Sequence, residues 1–82
     1  MDLVLLTKTI IEKLVKHQDA VSVKEYPTVD DNEIKIEIVV DKEDLSMFLE
    51  NDGRLLRAVK TIVIASSCIN LKKQVNITIE SY

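Results

Sequence analysis

Residues Glu33 to Val40 alternate without a break: Ile34, Ile36, Ile38 and Val40 fall on one side, and Glu33, Lys35, Glu37 and Val39 on the other. Successive side chains of a strand point to opposite faces, so this run predicts a strand with one apolar and one largely charged face. Such a strand cannot stand alone. Its apolar side has to be covered, and in a sheet of few strands a helix is the element that covers it.

The flanking patterns supply the partners. Leu3, Leu6, Ile10 and Leu14, with Val4, Ile11 and Val15, recur at helical spacing and predict an amphipathic helix from Leu3 to Lys16, with Lys13 and Lys16 near its C-terminal end. His17 follows as a helix-end residue, and no oriented partner for it is visible in the sequence. Val21 and Val23 begin a short alternating run to Tyr26, Pro27 closes it, and Asp30-Asp31-Asn32 reads as a turn, so this run and 33–40 form an antiparallel hairpin.

Downstream, Asp41 with Asp44 three residues on resembles a capping box, with Asp in place of the usual Glu or Gln. A short helix, Leu45 to Leu49, is expected next. After Glu50-Asn51-Asp52-Gly53, residues Leu55, Val59, Ile62 and Ser66, with Leu56, Ala58, Val63 and Ala65, outline a longer helix to about Cys68, ended near Asn70. Val75, Ile77 and Ile79 alternate with Gln74, Asn76, Thr78 and Glu80 in a last strand. The order is helix, strand, strand, helix, helix, strand. The helical crossover allows the second and third strands to lie parallel, giving an α+β fold with a three-stranded mixed sheet covered on one face by three helices.

Length and composition bound the rest. With 82 residues, 46% apolar and 30% charged, the chain suits one folded domain over 1–82. Asp2 stands where a secretory signal would be basic, and the apolar start is broken at Thr7-Lys8-Thr9, well short of the about 20 apolar residues of a membrane span. A single cysteine, Cys68, and a single histidine, His17, form neither a disulfide nor a His/Cys metal cluster, and no Ser/His/Asp or Cys/His constellation can be assembled around them. The expectation is a cytoplasmic protein without catalysis, cofactor, metal or membrane.

The net charge of −3 excludes a global basic footprint, but the charges are segregated. Ten acids stand between Glu25 and Asp52 against Lys35 and Lys42, whereas Arg54, Arg57, Lys60, Lys72 and Lys73 follow with no acid up to Lys73. The junction between the two regions is Glu50-Asn51-Asp52-Gly53-Arg54, which joins two helical patterns and holds the only glycine.

This element order, with a helix-loop-helix whose loop ends in Gly53-Arg54 and continues through Arg57-Ala58-Val59-Lys60-Thr61, resembles the type II K-homology (KH) fold, particularly the small bacterial single-domain KH proteins of the KhpA type. The resemblance covers nearly the whole chain. It implies an RNA-binding protein, a bacterial RNA chaperone by type, in which Glu50, Asn51, Asp52 and Gly53 replace a G-x-x-G loop that holds the backbone of single-stranded RNA. Arg54, Arg57 and Lys60 would add attraction, and Phe48 and Leu49 would border a shallow apolar groove under the bases. Both also suit a helix core.

The departures shape the expectation. Glu50 stands at the first glycine, and Asn51 and Asp52 stand where lysine, arginine or glutamine would assist phosphate binding. Asp52 and Glu50 also suit a cap on the following helix. The expected function is therefore weak, non-sequence-specific RNA binding through a degenerate loop. The alternative is a protein-interaction module that has lost RNA binding and pairs with itself or with a larger KH-containing protein, with the outer sheet face around Val39 available for contact.

Overall fold

The computed structural model describes residues 2–29, 32–70 and 74–82, the stretch 67–70 by its backbone only. Helix α1 spans Leu3–Leu14 and starts on Asp2, whose Oδ1 accepts hydrogen bonds from the amides of Val4 (3.0 Å) and Leu5 (3.2 Å). Its buried face is Leu3, Thr7 and Ile11, one turn apart, with Leu6 and Ile10 packed beside them.

The helix ends two residues before the expected Lys16, and the reason is tertiary. Asp44, 3% exposed, accepts the Lys16 amide on Oδ1 and the His17 amide on Oδ2, both at 3.0 Å. Those amides are withdrawn from the helical ladder, and Val15 turns extended. A 3-10 turn, Gln18–Ala20, then leads into the sheet.

Strand β1 spans Ser22–Tyr26, β2 Glu33–Val40 and β3 Gln74–Ser81, in the sheet order β1-β2-β3. The first pair is antiparallel, with Val23 opposite Ile38, and the second is parallel, with Ile36 beside Ile77. Ile34, Ile36, Ile38 and Val40 all point into the core, as their alternation predicts. The expected turn residues Asp30 and Asp31, and the basic pair Lys72-Lys73, lie outside the described residues.

The outer face of the sheet is polar across its width. The register sets Lys24, Glu37 and Thr78 in one row and Tyr26, Lys35 and Asn76 in the next. Tyr26 donates its hydroxyl hydrogen bond to Glu37 (3.2 Å), which with the nearby Glu37 charge raises the phenol above its ordinary pKa, and Asn76 donates to Glu33. Val39 is half-buried between Ser22 and Glu80. This face is not an apolar docking surface.

Helix α2 spans Lys42–Asn70, but Glu50–Gly53 inside it are non-helical, so it consists of two arms, 42–49 and 54–70. These are the expected short and long helices, the first beginning three residues early because Asp41 caps it: Asp41 Oδ1 accepts the Glu43 amide, and its carbonyl accepts those of Asp44 and Leu45, all at 3.0 Å. Asp44 does not close a capping box. Its oxygens are committed to the α1 exit. Burial alone would push the Asp44 carboxyl up, but the amides of Lys16 and His17 more than offset this and hold it below its ordinary value.

At the same junction His17 gains the partners that the sequence does not reveal. Its Nε2 lies 3.4 Å from Glu43 Oε2 and 3.8 Å from Asp41 Oδ1, and the hydrogen bond to Glu43 raises the imidazole pKa, against some desolvation. Beneath these contacts lies the core, where Ile11, Ile36, Ile38, Val40, Phe48 and Val63 are fully buried and Val59 nearly so. One layer of helices over one sheet accounts for all of them.

Candidate nucleic-acid interface

The first arm of α2 ends at Glu50, whose φ of −61° and ψ of 153° are extended. Three left-handed residues follow: Asn51 (φ 54°), Asp52 (φ 59°) and Gly53 (φ 75°). Each L-residue pays about 1–2 kcal/mol to enter this region, and Asn, Asp and Gly enter it most readily. The local sequence is thereby explained. The backbone turns between two helices through one tight left-handed stretch, and Asn51-Asp52-Gly53 is a triplet suited to it.

The two ends of the loop differ in what they require. At Glu50 the conformation is open to any residue, so the missing first glycine costs the backbone nothing there. At Gly53 a Cβ would meet only the Phe48 carbonyl oxygen, at 3.9 Å. The glycine is needed for its positive φ, not for space.

The acids do not cap the second arm. Among the described residues, the side chains of Glu50, Asn51 and Asp52 accept no hydrogen bond and form no ion pair, and all three are exposed. A capping residue needs an extended backbone and Asp52 is left-handed, so its carboxylate is not set to turn back to the amides ahead. The second arm starts at Arg54, so the positive end of its dipole faces the loop.

Arg54 and Arg57 are exposed on that arm and Lys60 half-exposed, none of them paired with an acid among the described residues. At 1.5 Å per residue the strip from Gly53 to Lys60 is about 10 Å long. It leads to an open groove of about 550 Å³, where Lys60 and Ile64 face Val75, Asn76, Ile77 and Thr78 of β3, with Glu33 and Lys35 at its outer side. Lysines and aliphatic side chains share this groove with one acid. Sequence reasoning names Lys60 and the parallel third strand but not their meeting, because only the packing of α2 against β3 brings residues 75–78 beside residues 60–64.

The two residues expected at the groove part company. Phe48 is fully buried in the core, so it supports the loop from beneath and lines no surface. Leu49 is 52% exposed at the loop edge, where a bound group can reach it.

No family model and no curated protein matches the sequence. Solved structures that match the fold include Era in complex with MgGDPNP and nucleotides 1506–1542 of 16S ribosomal RNA (TM-score 0.60) and a point variant of Aquifex aeolicus Era bound to GDP and AlF4 (TM-score 0.61). Each is 21% identical to this chain and is covered over 31% of its own length, while 99% of this chain is covered. The chain thus spans about a third of those proteins. The α+β fold is KH-like, with its three-stranded mixed sheet and its helix-loop-helix in the expected order.

Proposed function

We propose that this chain is a KH-type RNA-binding domain that holds single-stranded RNA weakly and without sequence preference. The observation that carries the reading is the left-handed junction 50–53, followed at once by Arg54, Arg57 and Lys60, unpaired among the described residues. Backbone phosphates would approach the positive end of the second arm and the three cations. Bases would lie on aliphatic groups along the groove between Lys60, Ile64 and β3 and on the exposed Leu49 beside the loop. Era, of which about a third shares this fold, was solved with ribosomal RNA, which supports an RNA ligand.

Glu50 and Asp52 set the affinity low. Both carboxylates are exposed at the place where phosphate would bind, and like charge there subtracts from the contribution of Arg54 and Arg57. The reading follows the resemblance to small cytoplasmic bacterial KH proteins of the KhpA type. Labelled single-stranded RNA should bind at low ionic strength, and Arg54→Glu combined with Arg57→Glu should abolish binding. Failure of the native protein to bind at low salt overturns the reading.

A second reading, protein pairing with itself or with a larger KH-containing protein, draws on the exposed apolar residues of the helical layer. Leu5 is 61% and Ile62 50% exposed, whereas the sheet face around Val39 is polar. Sedimentation velocity over a concentration series separates the two readings, since a strict monomer that binds RNA leaves pairing without support.

A further inference from the structure

We propose that His17, Asp41 and Glu43 form a binding site for a divalent transition-metal ion of the zinc class. One donor atom from each lies within 4.8 Å of the other two. Bonds of about 2.0–2.2 Å to nitrogen and oxygen set two tetrahedral ligands about 3.4 Å apart. His17 Nε2 and Glu43 Oε2 already stand at 3.4 Å, and His17 Nε2 and Asp41 Oδ1 at 3.8 Å. The Asp41 and Glu43 donors, within 4.8 Å of each other, close onto the same ion by rotation of the exposed Glu43 side chain.

The donor set selects the class. An imidazole with two carboxylates suits zinc, cobalt or nickel, whereas magnesium and calcium sites are built from oxygen alone. Two carboxylates and a neutral imidazole also balance a dication. Binding at Nε2 takes the neutral imidazole with its one proton on Nδ1, and an imidazolium would release its second proton to solvent.

The frame around the ligands is fixed before any ion arrives. His17 is pinned by its amide to Oδ2 of the buried Asp44, and Asp41 is pinned as the cap of the first arm of α2, in the same turn as Glu43. Positioning of ligands by outer hydrogen bonds is the usual requirement of a metal site. Beside them lies a pocket of about 380 Å³, lined by Lys16, Gln18, Asp19 and Ala20 along with His17 and Asp41. It leaves a fourth position open to water. Lys16 and the positive end of the helix act against a cation, which keeps the expected affinity in the micromolar range.

The site is invisible in the sequence because His17 and Asp41 meet only when the α1 exit docks on the start of α2. It lies one eight-residue arm, about 12 Å, from the loop at 50–53, so it is separate from the proposed RNA surface.

The test is calorimetric titration of the metal-free protein with Zn²⁺, with Co²⁺ visible absorption reporting the ligand geometry. The expected result is one ion per chain, with His17→Ala and Glu43→Gln each weakening affinity by at least about tenfold. Glu25→Gln, an exposed acid of β1, should leave it unchanged. His17→Ala keeps the amide that Asp44 holds, so circular dichroism should show the fold intact. No binding at about 1 mM Zn²⁺, far above a micromolar dissociation constant, overturns the proposal. So does binding that His17→Ala and Glu43→Gln leave unchanged.

Discussion

Asp44 Oδ2 accepts a hydrogen bond from the His17 amide at 3.0 Å, across 27 residues of sequence, and so fastens the end of α1 to the start of α2. With Oδ1 on Lys16 the carboxylate satisfies two amides that would otherwise be stranded at a helix exit. Asparagine cannot do this, since its NH₂ would face one of the donors. Asp44→Asn should therefore lower the melting temperature at neutral pH. The folded-state pKa lies below the ordinary 3.8, so the contribution is complete above that value and is lost as pH falls through the folded pKa. Melting curves of native protein and variant, followed from neutral pH to below pH 3.8, should converge at the acid end. A gap that persists unchanged would mean that ionisation of Asp44 is not its source.

The left-handed loop separates backbone need from ligand need. Asp52→Gly relieves a positive φ and removes a charge, and Glu50→Gly removes a second charge at a position without strain. The double variant should bind single-stranded RNA more tightly than the native protein at low salt. Asp52→Gly alone should be neutral or stabilising. Gly53→Ala moves the other way and should cost about 1 kcal/mol of stability, read from urea denaturation.

Much of this fold is legible in the chain because its strands carry strict alternation. Ile34, Ile36, Ile38 and Val40 each land in the core, and the break at 50–53 falls between the two arms. The site is legible in its order but not in its roles. Phe48 and Leu49 are adjacent and equally apolar, and only the packed structure shows that one is sealed inside and the other half outside. The capping reading of Asp52 fails because the sign of φ, not residue type, decides where its carboxylate points. Asp44 and His17 escape local reasoning for a related cause. Their partners lie on another element, and sequence spacing carries no trace of them.

That difference between neighbours gives a paired prediction. Phe48→Ala empties a fully buried position and should cost about 3–5 kcal/mol, which for a chain this small threatens folding outright. Leu49→Ala removes a half-exposed side chain and should change stability by less than about 0.5 kcal/mol while weakening RNA binding. Chemical denaturation and RNA titration on the same two variants test both statements. Equal effects on stability would place Leu49 in the core.

Thr7 is fully buried on α1, and its Oγ1 has no hydrogen-bond partner among the described residues. An unmet hydroxyl costs about 1–3 kcal/mol, and valine fills nearly the same shape without it. Thr7→Val should raise stability by about 1 kcal/mol, or roughly 4–8 °C in melting temperature for a domain of this size. A fall in melting temperature would show that the hydroxyl is satisfied in solution.

The salt dependence of RNA binding tests the cationic strip one residue at a time. For a single strand, the slope of log affinity against log salt changes by about 0.7 for each phosphate neutralised. Arg54, Arg57 and Lys60, if all engaged, predict a slope of about −2, and Lys60→Ala should reduce its size by about 0.7. Lys24→Ala, on the outer face of the sheet, removes the same charge away from the strip and should leave the slope as it was. If Lys24→Ala and Lys60→Ala shift it equally, the RNA responds to net charge alone and the strip beside β3 does not guide it.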